Sequence, residues 1–483
     1  MKKQLTTATL ILFVVFFYFT LASADFDTGR LHVGDLLKTS ITPDPVDWEL
    51  QGENWVWTGT IYYEDAYFIK PHFKNFNLPP EAVVELYDVD MNLVASYTDD
   101  GPRGLRNFWS NSALSDELII IATSPVQPDR VYFEIDQFSP GFKSLTESIC
   151  GSDNLENINC KTRPTQVKNN QKAVAHIVFV DGGTYVCTGS LVSANNHFLT
   201  NNHCISNQTI CNTMEVYFEY ETSSSASCTT NTASKGTVFS CDTFLSTNAT
   251  YDYGLMTLAG NPAGTRGHCN LNAKSLSVGE YLYIIQHPSG NPKKFADGTC
   301  YDNAINGNGT NSDCSYQIDT EGGSSGSPVF DNNGDVVALH HWGGCSSSAG
   351  NQGVLMSKIY PMIEDDINGT SNQLLVTVNI THTWIGDLKV ELTMPSSTTV
   401  VLHNNTGSSA DDIHETYSVS SWDGTFGEFT LKVSDHAGAD TGTLDNWSIQ
   451  ATPAGGSTYT GSNNTTMAIP DNNATGITSK ITL

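Results

Sequence analysis

Glu321-Gly-Gly-Ser-Ser-Gly-Ser-Pro-Val-Phe330 is the stretch on which the reading of this chain turns. A serine flanked by glycines, just ahead of a Pro-led apolar strand, can sit on a tight turn with its hydroxyl presented. Glycine permits the backbone angles that aim successive N–H groups at one point. Ser325 is then a candidate nucleophile, and the Gly323 and Ser325 amides a candidate oxyanion hole. Taken alone, the same run is an ordinary polar turn of a β-protein, so its partners decide.

Upstream stand Cys187-Thr-Gly-Ser-Leu-Val192 and Phe198-Leu-Thr-Asn-Asn-His-Cys204. A serine hydroxyl is a poor nucleophile until an imidazole takes its proton, which is the role His203 can fill. An acid at the head of an apolar strand, Asp252 in Tyr251-Asp-Tyr-Gly-Leu-Met-Thr-Leu258, can be buried against that imidazole and fix its tautomer. Each residue alone has a bland explanation. The order His, Asp, Ser in these three contexts points to acyl transfer, a chemistry that needs no cofactor.

The rest of the 483-residue chain frames this centre. Lys2 and Lys3, the apolar run Leu10–Leu21 and the small residues Ala22-Ser23-Ala24 read as an export signal over 1–24, shorter than the roughly 20 residues a membrane span needs. Eleven cysteines in an exported chain imply disulfides, with one thiol left over. With 23 basic against 51 acidic residues the formal charge is −28, which excludes nucleic acid and anionic lipid as natural partners. Short β-branched and aromatic runs between Gly, Asn, Asp and Ser predict a mostly β protein. Every cysteine falls between Cys150 and Cys345, which divides the chain into a cysteine-free unit, a stapled unit and a second cysteine-free unit.

These motifs resemble the trypsin-like serine peptidases, and among them the bacterial lysyl endopeptidases, over roughly residues 146 to 364. The paired Cys150 and Cys160, the Cys-Thr-Gly-Ser-Leu-Val strand, Phe-Leu-Thr-x-x-His-Cys, the serine turn, His287-Pro288 with Lys293-Lys294, and Cys345 carry the likeness. It implies an all-β fold with a double six-stranded β-barrel, and a secreted, monomeric endopeptidase acting on protein or peptide substrates. The family's pattern implies the disulfides Cys187–Cys204, Cys150–Cys345 and Cys160–Cys228, with Cys300–Cys314 as a fourth; Cys211, Cys241 and Cys269 stay unassigned. For the specificity pocket two readings stand. Asp319, six residues before Ser325, occupies the position of the trypsin pocket carboxylate and would select Lys or Arg, although the acid that the lysyl enzymes carry beyond Cys345 is missing from Ser346–Val354. Thr320, His341 and Trp342 instead resemble the pocket wall of glutamyl endopeptidases and would select acidic side chains. A rival of another class is an inactive secreted binding or adhesion protein on the same fold, which a complete triad argues against.

Residues 25–145 are similar to the β-rich region that precedes such proteases and are expected to be a propeptide or an accessory domain; Lys143-Ser144 would then be a site of self-activation. The protease unit spans 146–366. Residues 367–453 resemble the P domain of convertases, through His382-Thr-Trp-Ile-Gly-Asp-Leu388, Met394-Pro-Ser-Ser397, Gly427-Glu-Phe-Thr-Leu431 and Val433–Trp447. That resemblance implies a jelly-roll-like sandwich. Asp387, Asp435, Asp440 and Asp445 could offer oxygen ligands to a structural Ca²⁺, or simply cap loops. Residues 454–483 read as a linker, followed by either a polar tail or the start of a second copy, because Ile469-Pro-Asp-Asn-Asn-Ala-Thr-Gly476 echoes Ile363-Glu-Asp-Asp-Ile-Asn-Gly369.

Overall fold

The computed structural model describes residues 30–483 except 143–146, 149, 151, 346–349, 370–371, 408–410, 420 and 439. The expected export signal and Lys143-Ser144 therefore lie outside the described residues. Within these bounds the chain is mostly β, arranged as an amino-terminal sandwich, two closed barrels and a carboxy-terminal sandwich.

The first barrel is built from Val174–Val180, Thr184–Leu191, His197–Thr200, Glu215–Tyr217, Val238–Asn248 and Tyr253–Leu258. It closes where Thr184–Leu191 pairs with His197–Thr200. The second uses Tyr281–Gln286, Lys294–Ile305, Asp313–Tyr316, Pro328–Asp331, Val336–Trp342 and Asn351–Leu355, and closes between Lys294–Ile305 and Asp313–Tyr316. Their strands read as nearly continuous apolar runs because both ends of the alternation are covered, by the barrel lumen on one side and by neighbouring units on the other. Val174–Val180 is buried at every position.

Four disulfides staple this region: Cys150–Cys345, Cys160–Cys228, Cys187–Cys204 and Cys211–Cys241. The Cys300–Cys314 pairing does not form. Register on the two strands sets Cys300 opposite Tyr316, so Cys314 lies two residues along, and both thiols stay buried and free, as does Cys269.

The amino-terminal unit stacks a five-stranded sheet, with Asn54–Tyr62, Glu117–Ser124 and Val83–Asp88 at its centre, on a four-stranded one containing Ile69–Lys74 and Glu134–Pro140. Strict alternation along Glu117–Ser124 buries Leu118, Ile120 and Ala122 between them. This unit is tied closely to the first barrel. Its first strand, Leu31–Gly34, joins the first barrel with Leu31 opposite Val186. The Lys70 ammonium and the Glu215 carboxylate form a buried ion pair across the boundary, and Ser112 and Tyr217 also bond to Glu215.

The carboxy-terminal sandwich is larger than expected. Asn473–Thr482 pairs along Glu428–Asp435, and Tyr459–Asn463 and Met467–Ile469 pair with Gly442–Thr452. Ile469 and Ile481 are buried in its core, and Trp447 Nε1 donates to Ser479 Oγ at 2.8 Å. Residues 454–483 are thus neither a linker nor the start of a second copy. They complete the first, because its sheets would otherwise leave Trp447 and an apolar face uncovered.

Candidate active site

Asp252 heads the strand Tyr253–Leu258 with φ +41°, a left-handed conformation that a non-glycine residue holds only under constraint. The constraint is visible. Asn201 Nδ2 holds the Asp252 carbonyl at 2.8 Å, and two residues on a Cβ at Gly254 would lie 2.4 Å from the Ile205 carbonyl. Held this way, Asp252 accepts the His203 backbone N–H at Oδ1 (3.0 Å) and meets His203 Nδ1 at Oδ2 (2.8 Å). Nδ1 is the donor, which leaves the lone pair on Nε2. That atom is buried and has no partner among the described residues.

Ser325 sits in the turn Gly323–Gly326, where both glycines have positive φ. The turn cannot carry side chains there: a Cβ at Gly326 would fall 2.1 Å from the Thr188 carbonyl, and one at Gly323 3.0 Å from the His287 carbonyl. Thr188 fixes the turn from below, its N–H donating to the Ser325 carbonyl at 2.8 Å and its hydroxyl to the Gly323 carbonyl at 2.9 Å. Cys187, adjacent to Thr188, is bonded to Cys204, adjacent to His203. The serine turn and the histidine loop are thereby anchored to one strand. The Gly323 N–H makes no hydrogen bond among the described residues.

A fourth and a fifth group complete this centre. His341 is buried at 1% exposure between two carboxylates, with Nδ1 3.2 Å from Asp252 Oδ2 and Nε2 2.7 Å from Asp313 Oδ2. Burial alone would favour its neutral form, but the two carboxylates raise its pKa to about 9. Burial would likewise raise Asp252, yet His203 and His341 hold it well below the ordinary carboxylate range. The residues His203, Asp252, His341 and Asp313 form one hydrogen-bonded line. Asp313 fits beside Gly307, where a Cβ would stand 2.2 Å from its carboxylate.

This arrangement corrects the expected pocket. His341 cannot read a substrate side chain, because both ring nitrogens face carboxylates; its ring is stacked on Trp342, which is partly exposed. Asp319 is only 1% exposed and accepts the Cys150 and Asn154 N–H groups, each at 2.6 Å, so it anchors the start of the stapled unit. Burial nevertheless raises its pKa, and no cation pairs with it among the described residues. Thr320 is buried beside the strand pair formed with Glu147–Ser148.

The calcium set is also revised. Asp445 spends its carboxylate on the Thr381 and Thr443 hydroxyls, and Asp387 lies outside any such cluster among the described residues. Asp435 and Asp440 instead converge with His382, their ligand atoms all within 4.8 Å. These residues do not fit Ca²⁺. The Trp384 N–H donates to His382 Nδ1 at 3.1 Å, so Nε2 carries a proton and turns a donor, not a lone pair, toward the carboxylates.

The model of the lysyl endopeptidase C-terminal domain matches residues 150–358, and that of the proprotein convertase P-domain residues 371–451. A secreted RxLR effector protein 73 of Plasmopara viticola is 33% identical over 309 residues, covering 59% of this chain and 77% of that protein. A lysyl endopeptidase of Pseudomonas aeruginosa is 26% identical over 253 residues, covering 48% of this chain and 54% of that protein. A calcium-dependent protease of Nostoc is 42% identical over 86 residues, 16% of this chain and 13% of that protein. The chain therefore spans about half of the Pseudomonas enzyme and a small part of the Nostoc one.

Proposed function

Because this chain belongs to the trypsin-like peptidases, with a lysyl endopeptidase domain followed by a P-domain, we propose that it is a secreted serine endopeptidase. Ser325 attacks the scissile carbonyl while His203 Nε2 takes its proton and later returns it to the leaving amine. Asp252 holds the imidazole in the tautomer this requires, and the Gly323 and Ser325 amides receive the oxyanion. His341 is a positioning residue that keeps Asp252 ionised and aligned. The observation that carries this reading is the 2.8 Å bond between His203 Nδ1 and Asp252 Oδ2, made from a strained backbone on one anchored strand.

The residue before the cut is Lys or Arg in this reading. Asp319 is a buried carboxylate that takes the Cys150 and Asn154 N–H groups but has no cationic partner among the described residues, so a substrate cation would still complement it. Selection of acidic residues loses its support, since the candidate selector His341 is engaged by Asp252 and Asp313.

Ser325→Ala is expected to lower kcat by about 10⁴-fold or more while leaving the thermal transition in place. Turnover near the wild-type rate in that variant overturns the reading. Digestion of an unstructured protein library, with the cut sites sequenced, tests the specificity: cuts after Glu or Asp would overturn the role given to Asp319.

A further inference from the structure

Behind the serine turn, where the amino-terminal unit meets the first barrel, lies a cavity of about 240 Å³. Val33, Phe68 and Phe142 roof it, and His176, Lys235 and Ser289 stand below. Three observations set it apart. First, His176 is 1% exposed and neither ring nitrogen has a partner among the described residues; the Ser289 hydroxyl, 5% exposed, has none either. Buried polar groups are almost always bonded, so unpaired ones converging on a cavity call for a ligand or ordered water. Second, Lys235 brings an ammonium to the cavity, lying over the Tyr217 and Tyr220 rings at 4.9 and 5.7 Å, with no carboxylate in contact. Burial holds its pKa down to about 8. Third, in a protein of charge −28 no carboxylate lines this cavity among the described residues.

Its position relates it to the reaction. The Ser289 N–H donates to the Gly322 carbonyl at 2.7 Å, and a Cβ at Gly323 would touch Gly290 N and Val186 Cγ2. Val186 precedes Cys187, whose disulfide reaches the residue beside His203. The cavity therefore borders the serine turn at Gly322 and Gly323, on the side of the strand that carries Cys187.

We propose that this cavity receives a substrate side chain that follows the cut, and that it selects an acidic one. The Lys235 ammonium, the Ser289 hydroxyl and one His176 N–H are the donors that a carboxylate would engage, and the aromatic roof strengthens those contacts by excluding water. This rests on the endopeptidase reading above.

The test uses the full chain and internally quenched peptides that share the segment before the cut and carry Glu, Gln or Ala at the first or second position after it. Glu should exceed its neutral isostere Gln by about tenfold in kcat/KM at one of the two positions. Lys235→Gln should bring the Glu to Gln ratio within about twofold, and Ser289→Ala should lower it in part. Equal rates for Glu and Gln in the wild type, or a preference that survives both variants, overturn the subsite alone. If no peptide is cut and a fluorophosphonate fails to label Ser325, the subsite and the endopeptidase reading fall together.

Discussion

His341 illustrates how one buried imidazole can serve a site it never exposes. Its folded-state pKa, about 9, stands above the ordinary histidine value, so the stabilisation is fully present below about pH 6.5 and is lost as pH rises through 9. Wild-type protein should therefore lose thermal stability between pH 7 and pH 10, by at most about 3 kcal/mol, and His341→Gln should flatten that profile. The same variant should lower kcat more than it raises KM, because it acts on Asp252 and not on substrate. An unchanged pH–stability profile would remove His341 from this role. His203, Asp252 and Ser325 could be singled out from the sequence because their three local contexts occur together, in the order His, Asp, Ser. The bond between His341, singled out only as a pocket residue, and Asp313 could not: the two meet through the pairing of distant strands, 28 residues apart in the chain, and Asp313 in Ser312-Asp313-Cys314 has no signature of its own.

Strand positions were legible wherever an apolar alternation met a turn signal, as in Glu117–Ser124 or the run from Tyr253. Asn473–Thr482 was not, because its Thr, Ser and Lys residues read as a polar tail. It is an edge strand, and only Ser479 and Ile481 are buried on its inner face. Deleting residues 454–483 removes the burial of Ile469 and Ile481 and orphans the Trp447 indole N–H, at a cost of about 5 kcal/mol. That is comparable with the whole stability of a small domain. The shortened carboxy-terminal unit should lose its thermal transition and become sensitive to added protease. A resistant fragment ending near residue 453 would contradict the assignment of these strands to the sandwich. The disulfides divide in a similar way: Cys211–Cys241 carries no readable spacing, and the proximity of Cys300 to Cys314 in sequence misleads because the strand register separates them.

At the scale of the molecule, the amino-terminal unit is joined to the first barrel by the strand Leu31–Gly34 and the buried Lys70–Glu215 pair. Glu215 would be raised by burial, but Lys70 and the bonds from Tyr217 and Ser112 hold it below its ordinary value, so its contribution exists above about pH 4.5 and fades as pH falls. A chain nicked between residues 142 and 150 should remain one particle in size-exclusion chromatography at neutral pH and separate in acid. Lys70→Met, which strands the Glu215 charge, should weaken the association by about 3–5 kcal/mol and release the unit at neutral pH. Prompt separation of the nicked wild-type halves would instead mark a removable propeptide. The strand Leu31–Gly34 adds a further consequence. It lies along Thr184–Leu191, whose outer row of N–H and C=O groups would otherwise be open to any extended chain. A chain stripped of this strand would carry a sticky margin on its first barrel, prone to pairing with its twin or with any unfolded chain nearby.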